Sequence, residues 1–326
     1  MEVKEQKNYH SWYRVKKVVL AMGSLALLLI ILVPPMIVYV ATQSHVDYTG
    51  NRVEHPLQGI DKPEDFGLDA IEKTLVTEDG YKIWTSEVFV DRPKAVIVYL
   101  SGIQQPSVTY FYGHSKWMKS NGYATILLEV RGHGNSEGDR IGLGYEETAD
   151  VAAVVNSIKK QEKYQDVPIV LHGVSMGGAI AINSMGIIEE VDGVIAMSAY
   201  SSFEDVVIDN MRTYHIPQFI CAIEKPLIRS WLKFVFGDKI DDIKPIKQIE
   251  NLGDRPALLI ACSGDVEVPP INMQRLLDKA PANCESWLRD SWEHFIVQDC
   301  DFMNVEQDEE YCKRILDFLE NRVARR

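Results

Sequence analysis

The segment Gly173–Gly178, which reads GVSMGG, constrains the fold of this chain more than any other stretch. An apolar run at 167–172 precedes it and a helix-prone run at 179–182 follows it, so we predict a strand, a tight turn carrying Ser175, and a helix. The glycines on either side let strand and helix approach closely, while the turn strains and exposes the serine. We therefore interpret Ser175 as a nucleophile, the alternative being a plain glycine turn.

Apolar runs and helical patterns alternate along most of the chain, which is typical of an α/β protein with a mostly parallel sheet and helices on both faces. The predicted strands are a hairpin at 74–77 and 81–90 and buried strands at 95–100, 124–130, 167–172, 193–197, 257–262 and 284–289. The predicted helices are 110–121, 145–163, the helix after Ser175, 271–280 and 311–322. Apolar clusters at helical spacing interrupt this alternation at 201–248, which we interpret as an inserted helical cap.

A nucleophilic serine needs a base that accepts its proton and an acid that orients that base. In a parallel sheet these groups project from loops at the carboxyl ends of later strands. Asp265 follows the next-to-last predicted strand, with Glu267 as a substitute, and His294 follows the last one. Because the last hundred residues contain no other histidine, the sequence predicts a triad of Ser175, Asp265 and His294. The alternatives are an ordinary turn aspartate and a surface histidine.

The tetrahedral intermediate of such chemistry needs two backbone N–H donors. One is predicted to be the amide of Met176, directly after the serine, and the other the amide of Ile103, in the loop after the strand 95–100. His172 lies within the strand before the serine, so we expect it to point away from the site or to pack locally. His133 lies in a glycine-rich loop and could line the site, but its position does not suit the base.

The motifs of the chain resemble those of the α/β-hydrolase superfamily over about 71–319, and in detail the bacterial branch of serine aminopeptidases, lysophospholipases and similar hydrolases. The matching pieces are 130–138 (VRGHGNSEG), 141–150 (IGLGYEETAD), Gly173–Gly178, 265–269 (DVEVP) and His294. The resemblance implies an α/β-hydrolase fold and the chain order Ser175, Asp265, His294 for the catalytic residues. It does not imply a particular substrate.

Three positions depart from the family pattern. Ser101 replaces a histidine in the loop that carries the predicted oxyanion amide, which changes a wall of that loop and leaves the amides in place. Glu129 replaces an aspartate before the glycine-rich loop, and we expect this change to be structural. Glu293 replaces a glycine directly before His294, where its charge could shift the pKa of the histidine.

The N-terminus predicts a membrane anchor. Residues 1–17 form a tail with five basic and two acidic side chains, and Val18–Ala41 then runs 24 residues without a charge, about 36 Å as a helix. We favour an uncleaved transmembrane helix over a signal peptide, with Pro34 and Pro35 kinking or ending it. The basic flank predicts a cytoplasmic N-terminus and an extracytoplasmic catalytic domain in the cell membrane. Residues 42–69 read as a linker or a strap over the domain, and 70–326 as the hydrolase domain.

Charge and cysteine content exclude other classes of function. A net charge of -13 leaves no basic face for nucleic acid. The five cysteines are widely spaced and form neither a zinc site nor a disulfide framework, although Cys300 and Cys312 could form a bridge in an oxidising compartment. Cys262 is predicted to be a small buried side chain. We expect no metal and no cofactor, because triad chemistry uses protein groups alone.

These observations lead to a hypothesis of a membrane-tethered serine hydrolase that cleaves a carboxylic or acyl-lipid ester through an acyl-enzyme at Ser175. The partners it implies are a small-molecule or lipid ester substrate and, through the N-terminal helix, the membrane. The alternatives are a peptidase or amidase of the serine aminopeptidase type and a non-catalytic binding protein of hydrolase-like fold. A broken triad would favour the last of these, and all three members are present.

Overall fold

The computed structural model describes residues 2–44, Leu57 and 59–324. Its eight strands are β1 (Ile71–Val76), β2 (Lys82–Val88), β3 (Val96–Leu100), β4 (Ala124–Leu128), β5 (Ile169–Val174), β6 (Gly193–Met197), β7 (Ala257–Cys262) and β8 (Cys284–Arg289). They form one sheet in the order β1-β2-β4-β3-β5-β6-β7-β8. The β1–β2 and β2–β4 pairs are antiparallel and the others are parallel. The predicted hairpin and mostly parallel sheet are confirmed.

The α-helices of the described chain cover both faces of this sheet. They are α1 (Glu2–Ala41), α2 (Tyr112–Ser120), α3 (Thr148–Lys159), α4 (Met176–Ile187), α5 (Phe203–Thr213), α6 (Gln218–Phe236), α7 (Pro245–Gln248), α8 (Ile271–Leu277) and α9 (Glu309–Phe318). Alternate residues of β3 enter different cores: Val98 packs in a cluster that includes Ile180 of α4, and Tyr99 in one that includes Ile315 of α9. The helices α5, α6 and α7 lie between β6 and β7, where the sequence predicts an insertion.

A buried ion-pair network holds the glycine-rich loop that follows β4. The Arg131 guanidinium binds Asp150 of α3 at 2.7 Å and Asp79 of the hairpin turn at 2.6 Å. The Glu147 carboxylate accepts hydrogen bonds from backbone amides of the same region, and its burial together with the charge of Asp150 raises the pKa of Glu147 to about 7. These motif residues therefore brace the loop.

The helix α1 differs from the sequence prediction at both ends. It begins at Glu2, so that the predicted tail is helical, and it passes through Pro34 and Pro35 before ending at Ala41. The expectation that the prolines end the helix is therefore wrong. Pro34 and Val38 are buried, and α1 packs against α6, so contacts between distant parts of the chain outweigh the local cost of the prolines.

The segment Trp12–Ala41 within α1 is long and apolar enough to cross a membrane, a property that signal sequences share. Of the predicted linker 42–69, residues 45–56 and 58 lie outside the described residues. Within its described part, Leu57 is buried and the short 3₁₀ helix Pro63–Phe66 packs through Pro63 and Phe66. The second half of this segment is therefore a strap on the domain.

All five cysteines are free thiols, so the suggested bridge between Cys300 and Cys312 is wrong. The Cys312 thiol instead donates a hydrogen bond to the carbonyl of Val305 at 3.1 Å. Cys262 is buried as expected, and its burial raises the pKa of its thiol to about 11. Within the described residues, no group of three or more histidine, cysteine or acidic side chains is arranged to hold a metal ion.

Candidate active site

Ser175 occupies a strained turn between β5 and α4. Its backbone has φ 57° and ψ -119°, a conformation that side-chain-bearing residues rarely adopt and that costs on the order of 1–3 kcal/mol. Its amide donates to the carbonyl of Met197 at the end of β6, 2.8 Å away. The turn is therefore fixed to the neighbouring strand, as a nucleophile elbow requires.

Gly173 and Gly177 make this turn possible. A Cβ atom on Gly173 would lie 2.2 Å from the carbonyl carbon of Gly177, and one on Gly177 would lie 2.3 Å from the carbonyl oxygen of Leu100. No side chain fits at such distances. The close approach of strand and helix that the sequence predicts from its glycines is confirmed.

Asp265 and His294 meet at the carboxyl edge of the sheet. Asp265 lies in the turn after β7 and is almost fully buried, and its Oδ2 atom is 2.8 Å from Nδ1 of His294. Its Oδ1 atom accepts the backbone amides of Glu267 and Val268 at 2.8 and 3.0 Å. The carboxylate is thus fixed by its own turn and presents one oxygen to the imidazole, which leaves Nε2 as the free ring nitrogen.

The loop that carries His294 is bound to the same edge of the sheet. Ser198, directly after β6, donates through Oγ to the carbonyl of His294 at 2.6 Å. Because the preceding residue Met197 accepts the amide of Ser175, adjacent residues hold the serine and the histidine backbones. A Cβ atom on Gly102 would lie 3.6 Å from Cβ of Ser175 and 3.8 Å from the Phe295 ring, so the serine and histidine loops border one space.

No hydrogen bond joins the Ser175 hydroxyl to His294 among the residues that the structure describes. Both side chains are 7% exposed and lie at one edge of the sheet. In enzymes without substrate, hydrogen bonds between nucleophile and base are often long and shorten when substrate binds. The structure therefore brings the three predicted residues to one edge of the sheet. Asp265 and His294 are hydrogen-bonded to each other, whereas His294 and the Ser175 hydroxyl are not.

The two predicted oxyanion amides belong to residues near Ser175 in the chain or in the fold: Met176 directly follows it, and Ile103 follows Gly102, on which a Cβ atom would lie 3.6 Å from Cβ of Ser175. Met176 is the first residue of α4, and Ile103 lies in the turn after β3. Within the described chain neither amide donates to another group. The residues on both sides of Ile103 are held: Gly102 donates its amide to the Tyr110 hydroxyl at 3.4 Å, and Gln104 donates its amide to Nε2 of His133 at 3.2 Å.

The charges around His294 counteract the effect of burial on its pKa. Burial lowers the pKa of the imidazole, and the hydrogen bond and charge of Asp265, together with the charge of Glu267, outweigh it, so the pKa lies above its ordinary value. The Oε2 atom of Glu267 is 4.0 Å from Nε2, and its side chain is 67% exposed. Glu267 is therefore near the free nitrogen of the ring, and Asp265 rather than Glu267 holds Nδ1.

This arrangement predicts the pH dependence of activity. A base must be neutral to accept a proton, so the acid limb of kcat/KM is expected above pH 6.5. Glu267→Gln removes a negative charge beside the ring, lowers the pKa of His294 and moves that limb to lower pH by about half a unit at low salt. A pH series of kcat/KM measures this, with Glu78→Gln on the exposed hairpin turn as the control. An unmoved limb, or one moved to higher pH, would contradict the assignment.

The three departures from the family pattern have separate outcomes. The Glu293 carboxylate accepts hydrogen bonds from the Ser291 hydroxyl and the Asp299 amide, and Glu267 rather than Glu293 raises the pKa of His294. Glu129 is buried and accepts from the Ser107 hydroxyl and the Asn135 amide, which is a structural role. The hydroxyl of Ser101 is buried without a hydrogen-bond partner among the described residues.

His172 has a structural role. His172 is fully buried and packs against Tyr99 and Phe111, with the Tyr311 hydroxyl 3.3 Å from its Nε2 atom. Its burial lowers its pKa to about 3, so it stays neutral. Local packing of His172 was one of the two expectations, and it is confirmed.

Sequence reasoning missed the residues that hold the site. Ser198 stands directly after a predicted strand, so the same strand-end argument that finds Asp265 could have found it. Tyr110, whose hydroxyl accepts the amide of Gly102, carries no sequence signal for this role. Gln104 lies in the oxyanion loop itself, and its side chain donates to the carbonyl of Val40, a long-range contact that no local pattern predicts.

Comparison with known proteins agrees with this geometry. A family model described as serine aminopeptidase, S33, matches residues 91–219. An esterase of Pyrococcus furiosus superposes with a TM-score of 0.63 at 21% identity, over 81% of this chain and 95% of that one. The chain has the α/β-hydrolase fold. An acylaminoacyl peptidase of Pyrococcus horikoshii also superposes on this α/β hydrolase, with a TM-score of 0.58 at 15% identity, over 78% of this chain and 42% of that one.

A full-length relative is also known. The uncharacterized protein YqkD of Bacillus subtilis (strain 168) is 24% identical over 317 residues, which cover 94% of this chain and 98% of that protein. Together the family model and the structural neighbours support a hydrolase.

Proposed function

We propose that this protein is a membrane-anchored serine hydrolase that cleaves carboxylic or acyl-lipid esters, with Ser175, His294 and Asp265 as its triad. The observation that carries the proposal is the strained Ser175 turn at the sheet edge where Asp265 binds Nδ1 of His294 at 2.8 Å. The acid is bonded to the nitrogen that orients the base, and the other nitrogen is left for the serine.

The chemistry follows from these groups. Oγ of Ser175 attacks the ester carbonyl carbon while Nε2 of His294 takes the hydroxyl proton, and the amides of Ile103 and Met176 bind the resulting oxyanion. His294 then protonates the leaving alcohol oxygen as its bond to the carbonyl carbon breaks, which leaves an acyl-enzyme. Water, activated by the same imidazole, attacks this acyl group, and the released carboxylic acid restores the free serine.

Esters are favoured over amides by two observations. An esterase is among the structural neighbours, and the apolar segment Trp12–Ala41 next to the catalytic domain favours a substrate with a hydrophobic acyl part. A peptidase or amidase remains the second candidate, since the family model is described as a serine aminopeptidase and one neighbour is an acylaminoacyl peptidase.

Membrane anchoring is supported by the apolar segment Trp12–Ala41. The basic residues at the N-terminal end of this segment, among them Lys16 and Lys17, favour a cytoplasmic N-terminus and an extracytoplasmic catalytic domain in the cell membrane.

A substrate series tests the reaction class. Purified protein is assayed with p-nitrophenyl esters of increasing acyl length beside aminoacyl anilides under the same conditions. We expect higher kcat/KM for the esters, rising with acyl length. A preference for the anilides would assign the protein to the peptidases, and no turnover of either series would favour a non-catalytic protein.

A further inference from the structure

The cap helix α6 has an exposed apolar face. Phe219, Ile223 and Phe234 are 67%, 43% and 79% exposed, and their spacing places them within about 60° of one another around the helix. Trp231 stands edge-on against Phe234 at a ring distance of 5.3 Å and is also part-exposed. Large apolar side chains grouped in this way mark a surface that another apolar body covers.

The basic side chains of α6 form ion pairs within the protein. Lys225, Arg229 and Lys233 lie on another side of the helix and form ion pairs with aspartates of neighbouring elements, namely Asp205, Asp238 and Asp241. The helix therefore buries one apolar face, which includes Ile228 and Leu232, in the protein core and leaves a second apolar face with aromatic side chains exposed.

The end of α1 is bonded rigidly to the catalytic domain beside this face. The carbonyl of Val40 accepts the side-chain amide of Gln104 at 2.6 Å, and the carbonyl of Thr42 accepts the amide of Ile141 at 2.9 Å. Val38 is buried in the domain core, and α1 packs along α6. Because α1 packs along α6, a membrane that holds α1 lies next to the cap.

We propose that the apolar face of α6, formed by Phe219, Ile223, Trp231 and Phe234, rests on the surface of the lipid bilayer that α1 enters. This inference rests on the proposed membrane anchoring. A bilayer is the occupant that the geometry favours, because the face adjoins a helix apolar enough to span one, and aromatic side chains are preferred at the membrane interface.

The position of the docking surface also indicates where the substrate comes from. Gln104, which binds the end of α1, directly follows Ile103, whose amide is the proposed oxyanion donor. The cap that rests on lipid and the loop that binds the ester carbonyl are therefore both joined to α1. We therefore expect the substrate to be an ester whose acyl chain lies in the bilayer.

Photo-cross-linking of the full chain in lipid tests this surface. Phe219 and Phe234 are replaced one at a time by p-benzoylphenylalanine, and the variants are reconstituted into nanodiscs of phosphatidylcholine and phosphatidylglycerol. Leu288 on β8, which is 53% exposed, receives the same substitution as the control. After irradiation, adducts are identified by intact mass and by peptide mapping. This readout needs no enzymatic activity.

We expect phospholipid adducts at positions 219 and 234 and none at position 288. Adducts to a second copy of the chain, or no adducts at 219 and 234, would overturn the inference. Alkaline carbonate extraction of cell membranes tests the anchoring separately. A chain that resists extraction but gives no lipid adducts on α6 keeps the anchor and loses the docking surface, whereas a chain that carbonate releases loses both.

Discussion

Ser175→Ala is expected to lower kcat for ester hydrolysis by about 10⁴- to 10⁶-fold while the protein stays folded. The hydroxyl is the group that would form the acyl-enzyme, and no neighbouring side chain can take its place on the strained turn after β5. The remaining turnover would come from oxyanion binding and substrate positioning alone. Steady-state kinetics with the best ester of the series measures the loss, and circular dichroism with thermal unfolding checks the fold.

Ser184→Ala provides the matched control for this variant. Ser184 is buried in α4, the same helix that follows the nucleophile, and its hydroxyl has no hydrogen-bond partner among the described residues. We expect this variant to keep its activity within about twofold, since it removes no stabilising hydrogen bond. Equal activity of the Ser175 variant and the wild type would show that another group is the nucleophile.

Asp265→Asn is expected to lower kcat by about 10³- to 10⁴-fold. The aspartate accepts the Nδ1 proton of His294, which keeps Nε2 free to take the serine proton, and its charge stabilises the imidazolium that forms. An asparagine can instead donate to Nδ1, which moves the ring proton to Nε2 and blocks the base. Because the side chain keeps its shape, its bonds to the turn amides should persist.

Asp290→Asn removes the same charge from a neighbouring loop and serves as the control. Asp290 accepts a hydrogen bond from the Ser263 hydroxyl at 3.0 Å on the exposed side of that loop. We expect its activity to stay within about threefold of wild type, because a single exposed charge has a small effect. A similar loss in both variants would mean that charge in general, rather than the orientation of His294, sustains the rate.

The sheet could be predicted closely from the sequence because its central strands are mostly continuous apolar runs and turn residues bound the outer ones. The predicted strands 193–197, 257–262 and 284–289 match β6, β7 and β8 residue for residue. Helix ends were less predictable: α3 begins at Thr148 rather than at 145, because Glu147 turns its carboxylate to the amides of the preceding loop. Hydrogen bonds from loop amides to a side chain leave little trace in a periodic pattern.

The errors in the prediction come from contacts between distant residues. Pro34 and Pro35 locally favour a helix end, yet the helix continues because its last turns pack on the domain. Cys300 and Cys312 are close enough in sequence to suggest a bridge, but the thiol of Cys312 bonds to the backbone instead. The spacing of residues along the sequence does not predict these contacts.

For the candidate site, the sequence identifies the residues of the proposed triad and leaves out the residues that hold them. Ser175, Asp265 and His294 follow strand ends, a position that a parallel sheet brings to one edge. The bond from Gln104 to the end of α1 joins residues 64 positions apart, and no local pattern predicts it. The sequence therefore predicts the proposed triad more completely than the contacts that join the catalytic domain to α1.

Covalent labelling tests the central claim most directly. Folded wild-type protein is treated with a fluorophosphonate, digested and mapped by mass spectrometry, with the Ser175→Ala variant treated in parallel. The account predicts one phosphonyl group, carried by Ser175 and absent from the variant. An unlabelled wild-type protein, or a label on another residue that persists in the variant, would contradict it.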